Sequence, residues 1–428
     1  MTPELVFIAT SDFAARTKGR AVPAAEFDER TTVGWVPANL GIGPSGRIAE
    51  GLPFGSAGDL RLRPDPSSRT RVAGFGTRPP VDLVFADIVE TDGTPWPGCP
   101  RTFLREAIEQ LRDGFGIEAR VAFEHEFVEP DAPAGHPFSF QSLRAAEPLG
   151  GELVRALREA GFGPETWLAE YGAGQYELTI SPADPLRAAD RAIALRDIVR
   201  DAYEAHGRRA SFSPVVEPGG AGNGVHVHIG LRDLAGSQLA YDPARPGRLS
   251  RQAARFAAGI LRHAPGTTAF FAPLTISSLR LKPHNWSAAR IVLGERNREA
   301  LLRICPTNEL DGRDPAPQLH FEFRGADAGA NPWLLLGLLL RAGMQGLGGS
   351  EEAPVTSGEL ELDGAHAGLP ALPGSLAEAL EALRADRVVS GWFHPDVLRT
   401  FLAVKRAEIA ELGGLPEVEQ CARYAAVY

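Results

Sequence analysis

The segments AEYGAGQYELTI (residues 169–180) and GNGVHVHIG (residues 222–230) decide the fold of this chain. Both segments alternate apolar and polar residues, which is typical of a strand with one buried face. His226 and His228 are two positions apart, so a strand would direct both imidazoles to one side while the intervening valine packs on the other. The two segments therefore predict strands that carry chemically active groups on one face.

The same alternation recurs in VAFEHEF (residues 121–127) and QLHFEFRG (residues 318–325). If these segments share one sheet, their polar faces form a single cluster, which contains Glu124, Glu126, Glu170, Glu177, His226, His228, His320, Glu322 and Arg324. His125 and the phenylalanines are predicted on the opposite face. Carboxylates gathered in a partly dry site repel one another unless a cation compensates them. Oxygen-rich clusters with an occasional imidazole suit Mg²⁺ or Mn²⁺, so the sequence predicts a metal site.

Each part of this pattern also has an ordinary explanation. A glutamate pair at i and i+2 is usually a solvated strand edge, and an HxH pair also occurs in cupin-type metal sites. Arg298 and Arg303 alone would be solvated charges. A cupin barrel, however, has no role for the arginine-rich segment 296–303, so the combination favours a larger metal-dependent site.

Composition restricts the class of function. The chain has 428 residues, enough for two domains, and its formal net charge of −10 argues against a nucleic-acid partner. Cys99, Cys305 and Cys421 are far apart without a CxxC pair, which favours a reducing setting and disfavours structural zinc. We recognise no signal peptide and no apolar run long enough to span a bilayer. We therefore expect a cytoplasmic protein without a membrane partner.

Residues 1–96 are rich in strand and turn patterns, and the segment DGTPWPGCP (residues 92–100) marks a probable domain boundary through its glycine and prolines. Residues 97–428 alternate helix and strand patterns. Amphipathic or apolar periodicity predicts helices over residues 101–115, 150–161, 186–207, 250–266 and 331–347, the last of them buried. The final 50 residues are predicted to be helical and peripheral. The fold class is α+β with a small N-terminal β domain.

The order of the motifs resembles the glutamine synthetase family. It runs ExE, E-x6-E, NG-HxH, RL-P, NR-x4-R and EFR-x7-NP, and RLRPDPSS resembles the aspartate-proline loop of that family. The resemblance implies a β-grasp domain over residues 1–96 and a catalytic domain over residues 97–428. In the latter, a curved antiparallel sheet would surround a funnel that holds two divalent ions, Mg²⁺ or Mn²⁺. ATP would enter at one end and a carboxylate substrate at the other.

Carried over residue by residue, the resemblance implies a role for each member of the motifs. One ion would be bound by Glu126, Glu170 and Glu177, and the other by Glu124, His226 and Glu322. Nucleotide binding would involve His228 and Arg303, phosphoryl transfer would involve Arg298 and Arg324, and the amino-acid substrate would contact Arg280, Gly222 and Ala221. Such enzymes phosphorylate the carboxylate first, so that an amine can attack the acyl phosphate, while metals and arginine forks neutralise the phosphate oxygens.

The departures from the family pattern concern the second substrate. The family's flexible loop reads RLVPGYEAP, with a glutamate that helps to deprotonate ammonium, whereas this chain reads RLKPHNWSA with Trp286 at that position. No match to the family's ammonium-binding aspartate is found in residues 1–70. Ala221 replaces an asparagine, and His320 and Gly230 replace an arginine and a serine near ATP. Trp286 would offer an apolar or cation–π wall, or would simply pack within its loop.

These features predict an ATP-dependent ligase that joins the γ-carboxylate of glutamate to an organic amine. His284 is an alternative base in place of the missing glutamate. A different acid substrate, which Ala221 permits, and a non-catalytic structural or regulatory role stay open. The presence of all six predicted metal ligands favours an enzyme. The resemblance also implies a homo-oligomer, a dodecamer of two stacked hexameric rings.

Overall fold

The computed structural model describes residues 3–133, 135–360, 362–364 and 366–428. Within these residues the chain forms an N-terminal sheet, a larger second sheet, and helices packed mainly around the second sheet. The predicted α+β class, with a small N-terminal sheet domain before a large catalytic domain, is confirmed. None of the helices in this described part is both long and apolar enough to cross a membrane.

The N-terminal sheet has six strands, namely β1 (Leu5–Ser11), β2 (Thr17–Pro23), β3 (Val33–Trp35), β4 (Leu60–Pro64), β5 (Thr70–Val72) and β6 (Val81–Glu90). Their order is β2-β1-β6-β4-β3, and β5 pairs with β6. The central strand β6 is mostly apolar, with Asp82 and Asp87 as buried exceptions, and it is buried except at its two ends. It runs parallel to β1 and antiparallel to β4 and β5. A sequence pattern alone cannot reveal such pairing.

The catalytic sheet has eight strands, namely β7 (Ile117–Val128), β8 (Pro164–Ala169), β9 (Gln175–Ile180), β10 (Val225–Asp233), β11 (Arg290–Glu295), β12 (Ala300–Ile304), β13 (Phe321–Ala326) and β14 (Val355–Ser357). Their order is β14-β11-β12-β13-β10-β7-β9-β8. The four segments singled out in the sequence therefore form adjacent strands β13, β10, β7 and β9. The expectation of a wholly antiparallel sheet is wrong at one edge, where β11 pairs in parallel with both β12 and β14.

Eleven α-helices lie in the described residues, namely α1 (Pro100–Phe115), α2 (Phe140–Ala145), α3 (Leu149–Glu159), α4 (Pro185–Ala205), α5 (Arg251–Phe271), α6 (Ser277–Arg280), α7 (Pro332–Leu347), α8 (Leu376–Ala385), α9 (Arg387–Ser390), α10 (Pro395–Leu412) and α11 (Glu417–Val427). Helices α1, α4, α5 and α7 contribute to one core together with the apolar face of the catalytic sheet. Helix α7 is buried almost throughout, as predicted, because apolar residues surround it. Its start is fixed by Asn331, whose side-chain oxygen accepts hydrogen bonds from the backbone N–H groups of Trp333 and Leu334.

The C-terminal residues are helical, as predicted, but the expectation that they are peripheral is wrong. Phe401 of α10 is 2% exposed and packs in one core cluster with Val6 and Ile8 of β1. Tyr428 is also buried, and its hydroxyl donates to the backbone oxygen of Ala14 at 2.7 Å. Amphipathic periodicity predicts such helices but does not identify the surface that they cover.

A buried ionic cluster joins the N-terminal sheet to the helices of the second domain. The guanidinium of Arg101, in α1, is 1% exposed and donates to Asp65 at 2.8 Å, to Asp87 at 3.0 Å and to Asp190 at 2.9 and 3.0 Å. Arg105 donates to Asp87 at 2.8 Å from the more exposed side. Burial would raise the pKa of Asp65, but hydrogen bonds from Ser67 and the charge of Arg101 lower it to about 2.

Candidate active site

A cavity of about 850 Å³ lies over the polar face of the catalytic sheet. Loops 219–222 and 284–287 complete its wall. It is lined by every site residue that the sequence predicted, namely Glu124, Glu126, Glu170, Glu177, Ala221, Gly222, His226, His228, Arg280, Trp286, Arg298, Arg303, Glu322 and Arg324. The structure therefore gathers residues from five strands, helix α6 and the connecting loops into one place. Their individual roles remain predictions.

Strand register explains this convergence. Glu124 pairs with His226 across β7 and β10, and Glu126 pairs with Glu177 across β7 and β9. On the other side of β10, Glu322 is the register partner of His228. Because the side-chain period of a strand is two, all of these groups point toward the cavity and the intervening phenylalanines and valines fill the core. The sequence-based prediction of one polar face is confirmed.

His125 lies on the opposite face, as predicted, and is 1% exposed. Neither ring nitrogen has a hydrogen-bond partner within the described part of the chain. Burial, reinforced by the charge of Arg196, lowers the pKa of His125 to about 3. This imidazole is therefore neutral and structural, although it stands between two glutamates of the site.

Two carboxylates of the cavity have positively charged or hydrogen-bonding partners. Glu124 Oε1 lies 2.5 Å from His226 Nδ1. Glu322 accepts from Arg303 at 2.7 Å and from Arg324. Burial opposes the ionisation of both carboxyl groups. The contacts with His226 nevertheless hold the pKa of Glu124 below its usual range, and the charge of Arg324 does the same for the pKa of Glu322. Glu124 and Glu322 are therefore ionised at neutral pH.

Glu170 and Glu177 have the opposite environment. Burial raises the pKa of Glu177 to about 10, and the nearby charges of Glu124 and Glu126 contribute to the increase. Burial and the charge of Glu126 raise the pKa of Glu170 to about 7. No lysine or arginine nitrogen of the described residues lies within 4.0 Å of either carboxylate. Ionisation of these two carboxyl groups is therefore unfavourable in the ion-free site, because the described side chains do not compensate the charge.

The donor set fits hard divalent cations. Oxygen and imidazole ligand atoms within 4.8 Å of one another occur in the groups Glu124, Glu177 and His226, and Glu124, His228 and Glu322. These groups overlap with the two ligand sets inferred from the family resemblance without reproducing either set. In particular, Glu124 lies between the two positions. Carboxylate-rich groups of this kind suit Mg²⁺ or Mn²⁺, and a bound ion would supply the missing positive charge.

Arg280 and Gly222 form a closely packed unit at one side of the cavity. Arg280 is 4% exposed, and its guanidinium donates to the backbone oxygens of Arg324 at 3.2 Å and Ala326 at 2.8 Å. A Cβ atom at position 222 would lie 2.4 Å from Cγ of Arg280. Position 222 therefore requires glycine because the arginine side chain passes directly over its backbone.

The loop that contains Trp286 is held by hydrogen bonds to both backbone polar groups of this residue. The Trp286 N–H donates to Oε1 of Glu299 at 2.8 Å, and its carbonyl accepts from Arg324 at 3.0 Å. The indole is 52% exposed and lines the cavity. His284 also lines the cavity, but its Nε2 lies 2.8 Å from the carboxylate of Asp363, which directs this alternative base toward solvent.

Sequence reasoning missed three residues of this region. Tyr171 and Phe138 extend an aromatic row from Trp286, with ring centroids 4.9 Å apart for Tyr171–Trp286 and 5.0 Å apart for Phe138–Tyr171. Glu299 is 9% exposed, and its Oε2 has no hydrogen-bond partner in the described residues. The aromatic residues lie in segments that read as ordinary loops, so only the folded chain shows their contact.

A second cavity, of about 490 Å³, opens on the other side of His228. His320 and Gly230, two of the positions that depart from the family pattern, line it together with Arg120 and Arg232. His228 belongs to the wall of both cavities. The geometry therefore provides two compartments that meet at the carboxylate cluster.

Sequence profiles of known families match almost the whole chain. A profile of the glutamine synthetase N-terminal domain matches residues 2–96, and a profile of the glutamine synthetase catalytic domain matches residues 97–424. The chain belongs to the glutamine synthetase family. As a member of this family, it is a ligase that forms carbon–nitrogen bonds. Enzymes of the family act on small-molecule substrates, use ATP and divalent metal ions, and are typically oligomeric.

Relatives of several kinds share this similarity. A γ-glutamylpolyamine synthetase of Streptomyces coelicolor is 34% identical over 382 residues, which cover 86% of this chain and 80% of the relative. A glutamine synthetase of Pyrococcus abyssi is 30% identical over 421 residues, or 95% of this chain and 90% of the relative.

Solved structures agree with the family assignment. A crystal structure of a novel glutamine synthase homolog superimposes with a TM-score of 0.92 at 42% identity and covers 100% of this chain and 99% of its own. The complex of GmaS with ADP superimposes with a TM-score of 0.80 at 26% identity and covers 97% and 96%.

Proposed function

We propose that this protein joins the γ-carboxylate of glutamate to an organic amine with hydrolysis of ATP, through an acyl phosphate. The observation that carries the proposal is Trp286, which lies on the cavity wall where the family pattern has a glutamate. An indole can neither accept a proton nor pair with ammonium as a carboxylate does. It can pack against the apolar body of an amine or face its cation.

Recognition of the acid rests on Arg280, which the family resemblance pairs with an α-carboxylate. Its side chain is buried, lines the cavity and is held in place by two backbone oxygens and by the close approach of Gly222. A fixed guanidinium presents a forked donor that matches a carboxylate. Ala221 removes a side-chain contact to the acid, which makes a carboxylate other than glutamate the alternative substrate.

Phosphoryl transfer is assigned to three other arginines of the cavity. Arg298 is exposed to the cavity, whereas Arg303 and Arg324 are buried against Glu322. Together they would bind the transferred phosphoryl group. Two Mg²⁺ or Mn²⁺ ions, held by the predicted glutamates and His226, would neutralise phosphate oxygens when bound. The similarity to the complex of GmaS with ADP supports nucleotide binding, and we propose that the nucleotide occupies the second cavity, beside His228.

The amine would enter along the aromatic row formed by Phe138, Tyr171 and Trp286. Their side chains are 55%, 51% and 52% exposed, so an apolar ligand that covers them would remove a large aromatic surface from water. The similarity to a γ-glutamylpolyamine synthetase supports an organic amine as the second substrate.

The remaining features of the proposal follow the family. We propose a cytoplasmic protein, because its substrate ATP is cytoplasmic, and a dodecamer of two stacked hexameric rings. We also propose the domain division at residues 96 and 97. The two sheets of the fold and the ranges of the two family profiles support this division.

The test measures phosphate release from ATP with Mg²⁺ and glutamate, across ammonium and a panel of mono-, di- and polyamines. We expect release with at least one organic amine and little with ammonium. Trp286→Ala should raise the KM for that amine by about 10-fold, as the loss of roughly 1–2 kcal/mol of aromatic contact predicts, while Trp286→Phe should retain most of the affinity. Faster formation of glutamine from ammonium than of any amide would contradict the proposal.

Other outcomes separate the alternatives. Phosphate release only when glutamate is replaced by another carboxylate would identify a different acid. Absence of nucleotide binding, measured by calorimetry with ADP and Mg²⁺, would indicate a non-catalytic member of the family.

A further inference from the structure

Three side chains that belong to neither predicted ion position converge in the wall between the two cavities. His228 lies in β10, Cys305 directly follows β12, and His320 directly precedes β13. His228 Nδ1 is 3.0 Å from His320 Nε2 and 3.9 Å from the Sγ of Cys305. All three potential ligand atoms lie within 4.8 Å of one another. A backbone hydrogen bond from Cys305 to His320, at 3.2 Å, fixes the two chain segments side by side.

The two imidazoles face each other through Nδ1 of His228 and Nε2 of His320. Nδ1 of His320 is 2.6 Å from the carbonyl oxygen of Gln318, so this nitrogen carries the proton and Nε2 has a lone pair that faces His228. Nε2 of His228 is 3.4 Å from a carboxylate oxygen of Glu124, which favours a proton on that nitrogen. At a separation of 3.0 Å the two facing nitrogens repel unless a proton or a metal cation lies between them. A proton on Nδ1 of His228 fills this position in the ion-free protein, and a bound cation would replace it.

The distances fit a small tetrahedral cation. Zinc bonds of 2.0–2.1 Å to nitrogen and 2.3 Å to sulfur place two nitrogen ligands about 3.3 Å apart and a nitrogen and a sulfur about 3.6 Å apart. The observed separations of 3.0 and 3.9 Å differ from these values by only a few tenths of an ångström. The carbonyl of Gln318 already provides the outer hydrogen bond that orients a metal-binding histidine.

We propose that His228, Cys305 and His320 bind a thiophilic divalent cation such as Zn²⁺. This site is separate from the positions of the Mg²⁺ or Mn²⁺ ions that the glutamates would bind. Two imidazoles and a thiolate are soft ligands that select zinc over Mg²⁺ and Mn²⁺. On binding, the thiol of Cys305 releases its proton to solvent, and water completes the coordination. The absence of a CxxC motif does not argue against this site, because its ligands come from three separate segments of the chain, in β10, at the end of β12 and at the start of β13.

Occupation of this site should inhibit the ligase. His228 lines both cavities and His320 lines the second one, so ligation of both rings obstructs the compartment proposed for the nucleotide. A second cation beside Glu124 would also compete for a carboxylate that the ions of the active site require. Zinc would therefore lower activity even at a large excess of Mg²⁺.

The experiment uses Co²⁺ as a spectroscopic substitute for Zn²⁺ on the full-length protein in excess Mg²⁺. A thiolate-to-cobalt charge-transfer band should appear and saturate at one Co²⁺ per chain, and stoichiometric Zn²⁺ should abolish it. Absence of the band, or complete displacement of Co²⁺ by Mg²⁺, would overturn the proposal, since the ion would then bind carboxylates only or not at all. The wild-type measurement is decisive even if a variant fails to fold.

Variants locate the sulfur ligand. Cys305→Ser should abolish the band and weaken Zn²⁺ binding in a chelator competition by at least about 100-fold. The matched control Cys421→Ser removes another buried thiol, in α11, and should leave both measurements unchanged. A band that disappears in Cys421→Ser but persists in Cys305→Ser would refute the assignment.

A functional measurement completes the test. Zn²⁺ should inhibit wild-type ligase activity at concentrations at least about 10-fold lower than those that inhibit Cys305→Ser. The binding measurements need no amine substrate, so they remain valid if the proposed ligase reaction proves wrong. Equal sensitivity of both proteins would contradict the inhibitory role while leaving the binding result to stand on its own.

Discussion

Two buried clusters of acidic residues in this protein differ in how their charge is compensated. At the domain junction, one guanidinium contacts Asp65, Asp87 and Asp190 at 3.0 Å or less. In the catalytic cavity, Glu170 and Glu177 have raised pKa values and no comparable cationic partner. A cluster whose charges are paired within the chain stabilises the fold, whereas one with unpaired charge is prepared for a cation from outside.

The largest expected effect is at the junction. Arg101→Met keeps the apolar length of the side chain but leaves Asp190 buried without a cation. We expect this change to lower the free energy of unfolding by about 3–5 kcal/mol. Urea denaturation followed by circular dichroism measures it. A loss below about 1 kcal/mol would show that the cluster is not a stabilising network.

In the cavity, replacing an ionisable side chain by a neutral one should increase the free energy of unfolding instead of lowering it. Glu177→Gln removes a carboxyl group that is unfavourable to ionise, so the ion-free protein should gain about 1–3 kcal/mol of stability. Ligase activity should fall by at least about 100-fold, because a predicted metal ligand is lost. The control Glu118→Gln, at an exposed position of the same sheet, should change stability by less than about 0.5 kcal/mol. Destabilisation by Glu177→Gln in the presence of EDTA would contradict the comparison.

The two clusters should also respond differently to pH. Because the pKa of Glu170 is raised to about 7 and that of Glu177 to about 10, the folded ion-free protein binds more protons than the unfolded chain above pH 4.5. Its stability should therefore fall as the pH rises from 6 to 8. His228, whose pKa is raised to about 10 despite burial, acts in the same direction, since the stability it contributes is lost as pH rises.

Asp65 at the junction contributes no such slope in this range. The pKa of Asp65 is lowered to about 2, so its contribution is complete above pH 4 and is lost only as the pH falls toward 2. Thermal melts at pH 6 and 8 in EDTA, and again with saturating Mg²⁺, separate the two effects. The decrease should be present in EDTA and reduced by Mg²⁺. A melting temperature in EDTA that rises with pH would contradict the raised pKa values of Glu170 and Glu177.

The smallest effect is expected at the exposed side of the junction. Arg105→Met removes a guanidinium whose side chain is 35% exposed, and Asp87 keeps its hydrogen bond to Arg101. The loss should be about 0–1 kcal/mol and should shrink in high salt. Comparison with Arg101→Met by the same denaturation experiment then measures how much of the network's stability depends on burial.

Much of the site could be predicted because strand periodicity is local. Glu124, Glu126, His226, His228 and Glu322 lie on one face, as the spacing of two residues requires. The parallel edge of the sheet and the packing of the C-terminal helices on β1 could not be predicted, because periodicity identifies a buried face without identifying its partner.

Contacts that arise between distant segments were equally hidden. Tyr171 and Trp286 are separated by more than a hundred residues, and nothing in either segment indicates their edge-to-face contact. Glu299 stands beside Arg298 in an arginine motif, where an acidic residue reads as a surface charge. Only the fold shows that it is buried and holds the backbone of Trp286.

The anchoring of the Trp286 loop has a consequence for the order of events in a catalytic cycle. Arg324 donates to the carbonyl of Trp286 at 3.0 Å and to that of Arg298 at 3.1 Å, and also contacts Glu322. An opening of the loop that moves this carbonyl must therefore release a hydrogen bond of an arginine at the phosphoryl position. Under the proposed function, arrival or departure of the amine is in this way linked to the geometry of phosphoryl transfer. In the same proposal, the loop would keep water from the acyl phosphate until the second substrate is in place.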